Sequence, residues 1–175
     1  MKGRHPPRVS PVELESFVHS DRETVDPWFD DDDTRRFIGG TGWVEHALLH
    51  APAPRAEQRG RQVSARFMWV AREEGVAVGI VDIETYDDGT ADLAMIVAPD
   101  HRRAGVCARI LEAVIVHPAL ADVRVMRLGV EPDNVGAARC AERAGFASEP
   151  NDLDEQGLTH YLRAIGPGTS SSTGS

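Results

Sequence analysis

The stretch that most constrains this chain runs from about residue 64 to residue 98. Three segments rich in β-branched and aromatic residues follow one another there. Residues 64–72 are built around Phe67, Met68, Trp69 and Val70; residues 76–86 carry Val76, Val78, Ile80, Val81 and Ile83; residues 91–98 carry Leu93, Met95, Ile96 and Val97. The links between them are Glu73-Glu74-Gly75 and Asp87-Asp88-Gly89-Thr90. Both are short and glycine-bearing, and the second is a strong hairpin signal. Links this short join antiparallel neighbours, so the spacing predicts an antiparallel meander.

Downstream the period changes. Pro99 closes the third segment, a basic glycine-containing turn follows, and Val106, Ile110, Leu111, Val114 and Ile115 then fall on one helical face. Pro118 stops that helix, and residues 123–130 read as another strand. Pro132-Asp133-Asn134 opens a second helix through Arg143, with Gly145 where a helix end favours left-handed backbone. Residues 158–165 read as a last strand.

Upstream, residues 11–50 read as helical, with Ser10 as cap, Pro11 in the first turn and Glu13 close behind. A second helix is predicted near Asp31, because the acids at positions 30–33 favour the positive end of a helix dipole. That run reads as a solvated helix start and not as a metal site, since no histidine or glycine spacing supports calcium. Gly39-Gly40-Thr41-Gly42 is a turn without the downstream Gly-Lys-Ser/Thr of a nucleotide loop. Residues 52–61 form a polar, proline-containing loop, and residues 1–10 a basic, proline-rich lead-in. Together the elements give an α+β (mixed α/β) chain with one domain over residues 1–165, followed by a low-complexity tail, 166–175, expected to be disordered.

A chain of 175 residues is long enough for one domain with a sizeable core. No segment reaches the roughly 18 apolar residues of a membrane helix. No apolar run follows Met-Lys-Gly-Arg-His-Pro-Pro, so a secretory signal is not expected; the reading is a cytoplasmic protein with no membrane partner. The net charge of −9, from 28 acidic and 19 basic side chains, argues against nucleic acid as a partner and suits an amine-bearing substrate. Cys107 and Cys140 form no Cys-x-x-Cys pair and suggest no metal; in a cytoplasmic protein a disulfide between them is not expected.

The most informative chemistry lies in the turn Arg102-Arg103-Ala104-Gly105-Val106-Cys107, with Ala108 just inside the helix. A strand, a tight cationic bend and a helix start form an anion site: unpaired amides and the positive end of the dipole face the ligand. Gly105 lets the main chain approach a pyrophosphate closely, and Arg102 and Arg103 add charge.

These residues resemble the phosphate loop of the GNAT superfamily, Arg/Gln-x-x-Gly-x-Gly/Ala, preceded by Val-x-Pro, here Val97-Ala98-Pro99. Cys107 stands where the family has Gly or Ala. Asn134 and the run Glu142-Arg143-Ala144-Gly145-Phe146 are similar to the family's second cofactor helix. Trp28-Phe29-Asp30-Asp31 and Arg35-Arg36-Phe37-Ile38-Gly39-Gly40 resemble the branch that acetylates N-terminal amines of ribosomal proteins.

The resemblance implies a GNAT fold, a central, mostly antiparallel twisted sheet with helices on both faces. It implies acetyl-CoA as co-substrate, no metal, and transfer of the acetyl group to a primary amine by direct attack on the thioester. It also implies a bulged strand that turns the backbone of Met95, Ile96 and Val97 toward the cofactor, and Asn134 near the pantetheine or diphosphate. A homodimer is compatible with it. Glu84 and Asp92, acids near strand ends of the meander, are the candidate general bases. The family's usual acid, a tyrosine, is replaced by Ala141, which leaves a non-catalytic acyl-CoA-binding module as the alternative. His46, His50, His117 and His160 have no assigned partner, and Trp28, Trp43 and Trp69 are read as core residues or acceptor-pocket walls.

Overall fold

The structure, a computed structural model, describes residues 10–50, 57–58, 60–149, 153–154 and 156–166. Its strands are β1 (Glu13–Ser16), β2 (Glu57–Gln58), β3 (Arg61–Glu73), β4 (Val76–Tyr86), β5 (Thr90–Val97), β6 (Val125–Val130), β7 (Ala147–Ser148) and β8 (Thr159–Ala164). Its α-helices are α1 (Arg22–Val25), α2 (Asp32–Phe37), α3 (Gly42–His50), α4 (Val106–Ile115) and α5 (Val135–Arg143). One mixed sheet runs β1-β3-β4-β5-β6-β8-β7, and β2 pairs with the start of β3. Only the β5–β6 pair on that path is parallel.

The predicted meander is β3–β4–β5. Its hairpins close at Gly75 and Gly89, both with φ of +80°, a backbone angle that glycine alone adopts without cost. The predicted helices at 106–115 and after Asn134 also form. Asp31 caps α2, its carboxylate accepting the Thr34 amide at 2.9 Å. That amide, followed by Arg102, holds the Asp31 carboxyl below its ordinary value, against an opposing desolvation.

The helix expected from Ser10 is corrected. Residues 13–16 form β1, paired from Glu13↔Arg72 to Ser16↔Trp69. Four residues cannot hold a helix by local capping alone, whereas the free edge of β3 offers a ladder of hydrogen bonds. Ser10 does not cap; its hydroxyl donates to Glu74 Oε1 at 2.6 Å. The lead-in through residue 9, residues 52–56 and 59 of the predicted loop and the tail from 167 lie outside the described residues, while residues 57–58 and 61 of that loop are strand, in β2 and β3.

Each face of the sheet is covered. On one, Val81, Ile83, Leu93 and Leu128 pack against Ile110, Leu111 and Val114 of α4 and Ala141 of α5. On the other, Met68, Val70, Ile80 and Ile96 meet Val25, Phe29, Val44 and Ala47 of the N-terminal helical segment. Trp69 belongs to the first cluster and is buried, whereas Trp28 and Trp43 are half-buried and pack against the second. A Cβ on Gly79 would stand 2.6 Å from Ile110 Cδ1 and 2.8 Å from the Ile96 carbonyl oxygen. Glycine there lets α4 lie directly on the β4 backbone.

The cysteine reading is also corrected: Cys107 in the first turn of α4 and Cys140 in α5 form a disulfide. The spacing of 33 residues carried no signal because the two meet only once both helices lie side by side on the sheet. Loop-closure entropy for such a span stabilises by about 3–4 kcal/mol. Reduction with a phosphine is expected to lower Tm by about 6–15 °C, read by differential scanning calorimetry. An equal Tm in oxidised and reduced protein would show that the crosslink does not constrain the unfolded chain.

Candidate functional site

The sheet opens at its centre. β5 and β6 pair only from Thr90↔Val125 to Leu93↔Leu128. Beyond that, β5 runs on to Val97 bound to β4, and β6 runs on to Val130 bound to β8 through Gly129↔His160 and Val130↔Thr159. A slot therefore separates residues 94–97 from residues 129–130. The bulge that the family resemblance implies is absent: β4 and β5 keep an unbroken register from Gly79↔Val97 to Thr85↔Ala91. It is the departure of β6 that frees the inner edge of β5. Met95 and Val97 turn their side chains to one core and Ile96 to the other, so their backbone is what the slot receives. Unpaired backbone groups inside a sheet demand a partner, and an extended amide-bearing ligand supplies one.

At the end of β5, Pro99–His101 make a single 3-10 turn, and the chain bends through Arg103 (φ +64°) and Gly105 (φ +73°) into α4. After Arg102, whose amide bonds the Pro99 carbonyl at 3.3 Å, the next amide with a backbone acceptor is that of Arg109, bonded to the Gly105 carbonyl at 3.3 Å. The N–H groups of residues 103–108 have no acceptor among the described residues. Six successive free amides around a left-handed bend at a helix start form an anion-binding concavity.

Two arginines hold this bend in place. Arg109 donates from Nη1 to the Ala104 carbonyl at 2.8 Å and from Nε to Glu73 at 2.6 Å. Arg102 donates to Asp31 at 2.7 Å, to the Thr34 hydroxyl at 2.6 Å and to the Val97 carbonyl at 3.3 Å. The charge of Arg102 is thus already matched by Asp31, while Arg103 is exposed and has no ion pair among the described residues. Across the slot, Asn134 caps α5, its Oδ1 accepting the Ala137 amide at 3.2 Å. α2 touches both sides, through Asp31 to Arg102 and through Arg36 to Asp133.

A cleft of about 520 Å³ opens at the base of the slot, lined by residues that include Asp82, Glu84, Asp92, Ala94, Arg127, Gly129 and His160. The register explains its chemistry: Arg66, Glu84, Asp92 and Arg127 are cross-strand neighbours on β3, β4, β5 and β6. Glu84 pairs with Arg66 at 3.0 Å, and Asp92 pairs with Arg61 at 2.6 Å and Arg127 at 3.5 Å. The Tyr86 hydroxyl bridges the two acids, at 2.8 Å from Glu84 and 3.2 Å from Asp92. Burial, then the Asp92 and Glu84 charges, push its phenol up, so it stays a donor.

Asp82 differs from these acids. It makes no ion pair among the described residues, and burial, followed by the nearby Glu84 charge, pushes its carboxyl up to about 6, with Arg66 opposing. Its strand position pairs with Ala94, the first β5 residue past the last β5–β6 pair.

The match to known proteins agrees with this architecture. The family described as the acetyltransferase (GNAT) family matches residues 23–146. The chain belongs to the GNAT acetyltransferase family. It is similar to the N-acetyltransferase YfmK of Bacillus subtilis (strain 168), at 29% identity over 140 residues, covering 79% of this chain and 88% of that one. Among solved structures it resembles AAC(6')-Ib with paromomycin and acetyl-CoA, with a TM-score of 0.69 and 14% identity over 88% of this chain and 93% of that one. It also resembles RimL, a ribosomal L7/L12 α-N-protein acetyltransferase with coenzyme A, with a TM-score of 0.69 and 17% identity over 91% and 97% of the two chains.

In this GNAT chain the site residues read from the sequence fall into two groups. Arg102, Arg103, Ala104, Gly105, Val106, Cys107 and Ala108 are contiguous and form the bend, and Asn134 stands beyond the slot. Glu84 and Asp92 line the cleft, each held by arginine. Sequence reasoning missed Asp82, although a signal was present: an acid two residues from Glu84, within the apolar run Ile80, Val81, Ile83, is forced onto the same face of a buried strand. It also missed the partner of His160, which is Asp154, 2.9 Å away. Tyr161 is buried opposite Leu128, and Ala141 is 1% exposed in the core.

The Arg66–Glu84 pair carries its own prediction. The Arg66 side chain is only 7% exposed, so Glu84→Ala strands a buried guanidinium. A loss of about 3–5 kcal/mol is expected in urea denaturation. A change below 1 kcal/mol, the range of surface pairs, would show the pair to be solvated.

Proposed function

We propose that the chain transfers the acetyl group of acetyl-CoA to a primary amine by direct attack on the thioester. The observation that carries this reading is the slot itself: it runs from the free amides of residues 103–108 to the cleft beside Asp82. The bend takes the diphosphate through backbone donors, with Arg103 adding charge. The free edge of residues 94–97 pairs with the pantetheine amides, and Asn134 approaches them from the other side. A backbone N–H of β5 near the slot base stabilises the oxyanion as the carbonyl is attacked.

Asp82 takes the proton of the attacking amine, directly or through one water. A base near neutrality suits that task, whereas Glu84 and Asp92 are committed to arginines. Those two acids contribute charge that attracts an ammonium group to the cleft. The acceptor is a protein N-terminus or a small-molecule amine; the aminoglycoside and α-amine acetyltransferases that share the fold both act on amines. A non-catalytic acyl-CoA-binding module is the second reading, favoured by alanine at position 141 and by cysteine at position 107.

Calorimetry with acetyl-CoA, followed by release of free thiol in the presence of spermidine, kanamycin or an N-terminal peptide, tests both readings. Saturable binding with amine-dependent thiol release is the expected result. Binding without release across the panel would select the second reading, and no binding would remove both.

A further inference from the structure

The slot has a second polar group at the level of Asp82. One step beyond the last β5–β6 pair, Leu93↔Leu128, the cross-strand neighbours are Asp82↔Ala94 on one side and Gly129↔His160 on the other. Cross-strand partners share a face, and Asp82, Ala94, Gly129 and His160 all line the cleft. The two residues nearest the split, Ala94 and Gly129, carry little or no side chain. Asp82 and His160 therefore stand either side of the opening, with the Leu158 side chain over Gly129 forming part of its wall.

His160 is oriented. One ring nitrogen, Nε2, lies 2.9 Å from Asp154 Oδ2, and the two side chains are 15% and 14% exposed. Asp154 is fixed in turn by the Gln156 and Leu158 amides, both at 2.9 Å. Although desolvation pushes the other way, the Leu158 amide, the imidazole and the Gln156 amide hold the Asp154 carboxyl below its ordinary value. The second ring nitrogen, Nδ1, has no partner among the described residues. Gly129 makes room for the neighbouring Leu158 side chain: a Cβ there would lie 2.8 Å from Leu158 Cδ1, while His160 Cε1, at 3.7 Å, would be in ordinary contact. A carboxylate on one imidazole nitrogen fixes the ring, leaving the other nitrogen to exchange a proton with a substrate.

We propose that His160, held by Asp154, is the catalytic proton donor to the departing CoA sulfur, in place of the tyrosine that alanine replaces at position 141. This rests on the acetyl-transfer reading above. As the tetrahedral intermediate collapses, the C–S bond breaks and its electron pair stays on sulfur. The Nδ1 proton of the imidazolium moves to that sulfur, giving the free thiol. The amine proton has gone to Asp82, which returns it to water while water reprotonates His160. The charges facing this exchange are Arg66 from β3, Asp82 and Glu84 from β4, Asp92 from β5, Arg127 from β6 and Asp154 from the turn before β8.

The test needs no acceptor. Protein carrying 15N-labelled histidine is titrated with CoA and with desulfo-CoA, and the His160 ring signals are assigned by their absence in His160→Gln. A change in the His160 nitrogen shifts with CoA but not with desulfo-CoA is expected. Equal responses to the two ligands, with both bound, would overturn the donor role and leave the acetyl-transfer reading intact. Failure of CoA to bind at all would overturn both. With an active acceptor from the amine panel, His160→Gln is expected to lower kcat about 100-fold with little change in the acetyl-CoA KM. A merely structural histidine would instead change Tm and leave the sulfur-dependent signal unaltered.

Discussion

Asp82→Asn is expected to lower kcat by about 10²–10⁴-fold and, at the same time, to make the protein more stable. The loss follows from removing the proton acceptor of the amine. The gain follows from burial. The folded chain raises the Asp82 carboxyl from 3.8 to about 6, so the native state holds this proton more tightly than the unfolded state. Unfolding between those two values releases a proton, and stability from this group falls as pH rises through the window. At neutral pH the carboxylate costs the fold about 2–3 kcal/mol, which the neutral amide removes. A Tm several degrees above that of the parent protein is therefore expected at pH 7, with the difference vanishing below about pH 4. The parent kcat/KM should lose activity on the acid side near pH 6, as Asp82 takes up its proton. Full activity in Asp82→Asn would eliminate it as the base. Lower stability at pH 7 would show that the carboxylate has a partner in the fold.

Gly105→Glu is expected to weaken acetyl-CoA binding by at least about 100-fold, or about 2.7 kcal/mol, with the far-ultraviolet circular dichroism retained. Two effects combine. A carboxylate beside the free amides of residues 103–108 occupies and repels the anion they are placed to bind. A side chain at φ +73° also costs about 1–2 kcal/mol of backbone strain, and its Cβ would lie 3.3 Å from Arg109 Nη1, one of the groups holding the bend. Gly105→Ala separates these effects, because it carries the strain without the charge and should lose much less affinity. Calorimetry on both variants decides the matter. Glutamate and alanine variants of equal affinity would place the diphosphate away from this bend.

Much of the scaffold was legible. The Asp-Gly hairpin, the β-branched run of β4, the apolar face of α4 and the glycines at tight bends are local signals, and each formed where it was read. The N-terminal strand was not legible, because Ser10, Pro11 and Glu13 imitate a helix cap while the bonds that decide the matter belong to β3. The disulfide was hidden for a similar reason: Cys107 and Cys140 meet through helix packing. At the site, the phosphate bend was readable because its residues are consecutive. The proton chemistry was not, because Asp82, Glu84, Asp92, Arg66, Arg127 and His160 come from five strands and meet only through register.

By itself the sequence determined the local elements, the glycine-bearing cationic bend ahead of α4 and the family to which it is similar, since each depends on neighbours along the chain. Only the tertiary structure decided which acid of the cleft has no ion pair among the described residues, which histidine shares its face, and that the slot is made by β6 leaving β5 for β8. Those outcomes follow from desolvation and cross-strand pairing, and both depend on residues far apart in the chain.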